Sequence, residues 1–163
     1  MKNITLLSDT HNYLDERIFP YLEKCDEIWH AGDIGNLNII DNLKQFAKTR
    51  AVYGNIDNNT IRKELNRTLI FRCEEIKILM THIGGYPGKY AKGIKEMLKD
   101  ENPDIFISGH SHILKVINDK ELNILHMNPG AMGNHGSHKV KTMLVFCVNN
   151  NKLEDLKVIE YDR

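Results

Sequence analysis

Apolar residues fall in short runs along this chain, and several of the runs stop at a polar residue beside a glycine or another small residue. Ile4 to Leu7 reads as a buried strand that halts at Ser8-Asp9-Thr10-His11. Leu14, Ile18 and Leu22 recur at i, i+4 and i+8 and predict a helix, which Pro20 must either kink or start. Glu27 to His30 is a second short strand, ending in Ala31-Gly32-Asp33. Leu37, Ile40, Leu43 and Ala47 give the apolar face of a second helix. A third strand, Ala51 to Tyr53, ends in Gly54-Asn55-Ile56-Asp57, and the polar stretch 58–66 has room for one helical turn.

Thr68 to Phe71 and Ile76 to Met80 read as strands joined tightly at Cys73-Glu74-Glu75, the second running into Thr81-His82-Ile83-Gly84-Gly85. Tyr90, Ile94, Met97 and Leu98 mark a third helix, stopped at Asp100-Glu101-Asn102-Pro103. Ile105-Phe106-Ile107 follows as a strand and ends in Ser108-Gly109-His110-Ser111-His112. The rhythm then changes to hairpins, Leu114 to Ile117 with Leu122 to His126, and Thr142 to Val148 with Leu153 to Tyr161. Between them Asn128-Pro129-Gly130 opens a glycine- and histidine-rich loop that reaches Lys139. Strands alternating with helices and then successive hairpins predict an α/β fold with sheets of mixed direction.

At 163 residues the chain can bury a core without disulfides or structural metal, and it predicts one domain spanning 1–163. Lys and Arg number 22 against 22 Asp and Glu, and no block of like charge stands out. That balance argues against nucleic acid held through a basic surface and against a polybasic membrane patch. Cys25, Cys73 and Cys147 lie far apart without C-x-x-C spacing and read as reduced thiols. No apolar run nears the ~18 residues of a membrane span, and the opening residues are too polar for a secretion signal. The expectation is a cytoplasmic protein that touches no membrane, with its state of assembly left open, homo-oligomer included.

The strand ends carry the candidate chemistry. Asp9 and His11, Asp33, Asn55, His82, and His110 with His112 all stand where an apolar run gives out, the edge of an α/β sheet at which ligands usually sit. Taken singly, each is as readily a cap or a turn residue. Five such ends in one chain are hard to ascribe to coincidence. Carboxylate oxygen, amide oxygen and imidazole nitrogen together suit borderline first-row metals.

The set Asp9-x-His11, Gly32-Asp33, Gly54-Asn55, His82 and Gly109-His110-x-His112 resembles the calcineurin-like metallophosphoesterases, and more closely their small single-domain bacterial and archaeal phosphodiesterase branch. The resemblance runs in order over nearly the whole chain. It implies a two-sheet mixed β-sandwich flanked by helices and a binuclear centre of two divalent metal ions, Mn first, with Fe, Ni, Co or Zn also suited. One ion would sit on Asp9, His11, Asp33 and His112, the other on Asp33, Asn55, His82 and His110, with Asp33 shared. Asp33, Asn55 and His110 would serve catalysis, a metal-bridging hydroxide attacking a small phosphoester substrate. Asp57 would support the site from behind. Asn128, Gly130 and His135 would lie beside the substrate, where backbone N–H groups of the glycine-rich turn could cradle phosphate.

One departure bears on the chemistry. Fuller members of the family read Gly-Asn-His-Glu or Gly-Asn-His-Asp, and that histidine is taken to protonate the leaving oxygen. Here Ile56 stands in its place and can do no such thing. His126, His135 and His138 are the candidates to supply the proton, and failing them the enzyme would favour esters whose leaving group departs unprotonated. His30 reads as a residue that orients a ligand. The competing class is a non-catalytic phosphoesterase-like scaffold for protein contacts, which loses part of the ligand set; here every histidine of that set is present.

Overall fold

The computed structural model describes residues 1–163. Two five-stranded sheets lie face to face with helices outside them. The first contains β1 (Lys2–Leu7), β2 (Glu27–His30), β3 (Lys48–Ala51), β11 (Val140–Asn149) and β12 (Lys152–Asp162), in the order β12-β11-β1-β2-β3. The second contains β4 (Thr68–Cys73), β5 (Ile76–Thr81), β8 (Ile105–Ile107), β9 (Leu114–Asp119) and β10 (Ile124–Pro129), in the order β4-β5-β8-β10-β9. A two-stranded ribbon, β6 (Gly85–Tyr86) and β7 (Lys89–Tyr90), stands apart.

The inner strands read as unbroken apolar runs because both of their faces are buried. On β1, Ile4 and Leu6 point between the sheets while Leu7 points outward; on β8, Ile105 and Ile107 point inward and Phe106 outward. The inter-sheet layer gathers these with Trp29, Ile78, Met80, Met127 and Phe146. Outside the first sheet pack α1 (Phe19–Leu22), α2 (Leu37–Phe46) and α3 (Asn59–Glu64), through Leu22, Ile40, Leu43 and Ile61. Outside the second packs α4 (Ile94–Glu101), through Ile94 and Leu98.

Strands β1, β2 and β3 run parallel to one another, as do β5, β8 and β10. Their carboxyl ends therefore arrive in two sets, and both sets serve one edge of the sandwich.

Several local expectations give way to tertiary pairing. Pro20 lies in the first turn of α1, after a 3-10 turn at Glu16–Ile18, so it starts the helix. The third strand is Lys48–Ala51, because parallel register with β2 sets Trp29 opposite Arg50 and brings Arg50 Nε to 2.8 Å from the buried Glu27 carboxylate. Tyr90 belongs to no helix: Gly93, at φ 82°, begins α4, and Tyr90 pairs with Gly85 while its hydroxyl donates to Asp119. Asn128 and Pro129 end β10 rather than open a loop.

Candidate metal centre

Most side chains of the site leave their strands through a backbone that only certain residues tolerate. Asp9, His11, Asn12, Asp33, His110 and His112 all adopt left-handed conformations. These cost roughly 1–2 kcal/mol per residue, least for Asn and Asp, and strain of this kind gathers at functional sites. Two glycines let the turns meet. A Cβ on Gly54 would lie 2.0 Å from Asp33 Oδ1, and one on Gly109 would lie 2.2 Å from Ser8 Oγ and 2.9 Å from Asp9 Oδ2. Neither position admits a side chain.

The side chains converge in two triads, Asp9 with His11 and His112, and Asp33 with His82 and His110. Asp33 Oδ2 links them, 3.2 Å from His82 Nε2 and 3.5 Å from His11 Nε2. Its other oxygen accepts the Ile56 N–H at 3.0 Å, which fixes the carboxylate's rotation. Burial would raise the Asp33 pKa, but the bond and charge of His82 outweigh it and hold the group below its ordinary value. Asp9 Oδ2 accepts from Ser8 Oγ at 2.6 Å and from the His110 N–H at 3.1 Å. Its Oδ1 faces His112 Nε2 at 3.1 Å, yet that oxygen and His11 Nε2 are buried without hydrogen-bond partners. Asn55 Oδ1 lies 3.1 Å from His82 Nε2 and 2.9 Å from His110 Nδ1.

These atoms suit a bound cation. His82 Nδ1 donates to the Ala31 carbonyl at 2.7 Å, so the neutral ring presents a bare Nε2 lone pair to two oxygen acceptors. Buried electron-rich atoms converge in this way around a positive charge. A proton on Nε2 competes for the same space. Burial lowers the His82 pKa, but the bond to Asp33 and the charges of Asp9 and Asp33 outweigh that and raise it, so metal uptake here displaces a proton. At His11 burial prevails and the pKa falls, favouring the neutral, ligating form.

The residues expected beside the site divide sharply. Asp57 accepts three backbone N–H groups, from Ile34 at 3.1 Å, Gly35 at 2.8 Å and Gly54 at 2.7 Å, and so ties the loop after β2 to the loop after β3. Asn128 is buried; its amide donates to the Gly109 carbonyl and Ser111 Oγ, pinning the turn that carries His110 and His112. In the loop expected to cradle phosphate, the N–H groups of Gly130, Met132 and Gly133 are bonded to Asn128 Oδ1, the Ser8 carbonyl and the Asp9 carbonyl. His135 stacks on His11, ring centres 4.7 Å apart, at the exposed mouth of the site. His138 is tied through Nε2 to the Gly133 carbonyl. His126 is buried against Ser108 and Phe106, with its pKa pushed by burial down to about 4. That removes it as a proton donor. His30 Nδ1 accepts from the Gly32 N–H and Nε2 donates to Thr10, whose hydroxyl passes on to the Ile34 carbonyl. It braces the two turns that present Asp9 and Asp33.

Sequence reasoning missed Ser8 and Arg62. Arg62 reaches back from α3 to the carbonyls of Asp57 and Asn55. A hydroxyl beside Asp9 and an arginine on a short polar helix carry no signal of their own until the chain folds.

The family model described as "Calcineurin-like phosphoesterase superfamily domain" matches residues 1–151. A relative named probable metallophosphoesterase from Methanocaldococcus jannaschii is 36% identical over 135 residues, covering 78% of this chain and 67% of its own. Among solved structures, Vps29 of Entamoeba histolytica superposes with a TM-score of 0.78 at 18% identity, covering 99% of both chains. A predicted phosphoesterase from Streptococcus pneumoniae gives 0.71 at 20% identity, covering 99% of this chain and 98% of its own.

Proposed function

The chain belongs to the calcineurin-like phosphoesterase superfamily, and from that premise we propose that residues 1–163 act as one metal-dependent phosphodiesterase domain with a binuclear centre. The observation that carries this reading is Asp33 Oδ2 standing between His82 Nε2 and His11 Nε2, one imidazole from each triad. A carboxylate is the one ligand type here with the charge and the oxygens to serve two cations. Asp9, His11, Asp33 and His112 would hold one ion, and Asp33, Asn55, His82 and His110 the other. Bound divalent ions, Mn²⁺ by preference, supply Lewis-acid activation of water and neutralise charge on the phosphoryl oxygens.

The chain's own groups do the rest. His110, exposed at the rim with Nδ1 on Asn55 Oδ1, would orient that amide at the metal edge. Asp57 and Arg62 both hold the Asn55 loop in place, through the Gly54 N–H and the Asn55 carbonyl. Ile56, 43% exposed at the same rim, offers no proton to a leaving oxygen. A diester leaving as a stabilised aryloxide needs none, so activated diesters are the substrates this site serves best.

The test is hydrolysis of bis(p-nitrophenyl) phosphate with added Mn²⁺, wild type beside Asp33→Asn. Turnover by the wild type and its loss in the variant are expected. Equal inertness of both, with metal bound, overturns the catalytic reading and favours the scaffold role, for which the Vps29-like fold is the supporting observation.

A further inference from the structure

A groove of about 270 Å³ opens beside the metal centre, lined by Tyr53, Asn55, Arg62, Arg67, His82 and Ile83, among others. Asn55 and His82 belong to the candidate ligand set, so whatever fills the groove touches the reacting phosphate's surroundings. Two arginines are among its lining residues and no acidic residue is. In a chain whose formal charges cancel, that is a local excess of positive charge with no internal partner. The scissile phosphate does not call for it, since the ligand triads already provide a place for cations. The groove lies below the 300–1,000 Å³ of sites for drug-sized ligands, so it takes a compact group.

The two arginines are differently employed. Arg62 donates Nε to the Asp57 carbonyl and an amino group to the Asn55 carbonyl, and its guanidinium lies 5.1 Å from the centre of the Tyr53 ring. It is held in place, and its remaining N–H donors carry no hydrogen bond within the chain. Arg67, just before β4, is exposed, and only its backbone carbonyl is engaged, by Thr81 Oγ1. Guanidinium groups recognise tetrahedral oxyanions through paired N–H donors.

Resting on the phosphodiesterase reading, we propose that this groove is an anion subsite for a second phosphate. The preferred substrates are then phosphodiesters that carry a phosphate monoester on a short arm beyond the scissile bond. Arg67 is the residue that selects them.

Two p-nitrophenyl phosphodiesters test this, alike except that one bears a 3-phosphopropyl arm and the other a 3-hydroxypropyl arm. With Mn²⁺-loaded wild type, kcat/KM for the phosphorylated ester is expected to exceed the other by about ten- to a hundred-fold, the range of one charge-assisted contact. In Arg67→Gln that ratio falls at least about ten-fold, and Arg67→Lys restores part of it. A readout without turnover accompanies it: calorimetric titration of inorganic pyrophosphate into EDTA-treated protein, with binding weakened by the same factor in Arg67→Gln. Hydrolysis of both esters at a ratio near one, unchanged by Arg67→Gln, overturns the subsite and leaves the phosphodiesterase reading standing. Inertness toward both overturns that reading. The pyrophosphate titration then decides the subsite alone: binding that depends on Arg67 supports it, and no binding overturns it.

Discussion

Replacing Asp57 by Asn isolates the part the loop-tying carboxylate plays, because the change removes charge and one acceptor while keeping shape. Oδ2 takes the N–H groups of Ile34 and Gly54, and Oδ1 takes that of Gly35, all within 3.1 Å. The residue is 3% exposed, so water cannot step in. An asparagine oxygen can keep the first two, but its NH₂ then faces the Gly35 N–H. Hydrogen bonds to a charged group contribute about 1.5–3 kcal/mol and neutral ones about 0.5–1.5. One lost bond and two weakened ones come to about 4 kcal/mol. Trp29, the single tryptophan, is fully buried between the sheets and reports unfolding by fluorescence. With a urea slope of about 2 kcal/mol per M, the midpoint of the metal-free protein should fall by about 2 M. Mn²⁺ affinity should drop about 10–100-fold, as for other outer supports of metal ligands. A midpoint shift below about 0.3 M would refute the claim that this carboxylate clamps the two loops.

Two further outcomes follow from named groups. His126 is buried and neutral with its pKa near about 4, against an unfolded value of about 6.5; the unfolded chain therefore binds the proton first as pH falls. Its stabilising effect is full above pH 6.5 and is lost between 6.5 and 4, about 2 kcal/mol of it by pH 5, so the decline in urea midpoint between pH 7 and 5 should be visibly shallower in His126→Leu, and parallel declines would refute it. Ile56→His places an imidazole at the rim and should raise turnover of an alkyl-leaving diester about ten-fold or more relative to an aryl one, a positioned general acid typically being worth about 10²–10⁴; an unchanged alkyl-to-aryl ratio in steady-state assays counts against the leaving-group argument.

Three of the five strand ends were readable because each couples a buried run to a residue that tolerates a left-handed turn. Asp9, Asp33, His110 and His112 meet that condition in the fold, at φ values of 54°, 54°, 68° and 59°. The start of the glycine-rich loop was misread for a related reason: composition marks Asn128 and Pro129 as loop, but only the folded chain shows them paired with Lys115 and Leu114 as the end of β10. Tyr90 follows helical spacing yet pairs in a ribbon, because Gly93 starts the helix three residues later and Asp119 takes the hydroxyl.

What the sequence determined by itself is a matter of local sterics and burial: which segments extend, where they must stop, and which side chains stand at the stops. What the tertiary structure alone decided is which stops face one another. Asp33 comes to lie between His11 and His82 because β1 and β2 are parallel neighbours in one sheet while β5 belongs to the other, and the two sheets meet at that edge. The same meeting brings Arg62 and Arg67 to one groove. Distances between groups far apart in the chain are fixed by sheet pairing and core packing, and no local pattern of residues encodes them.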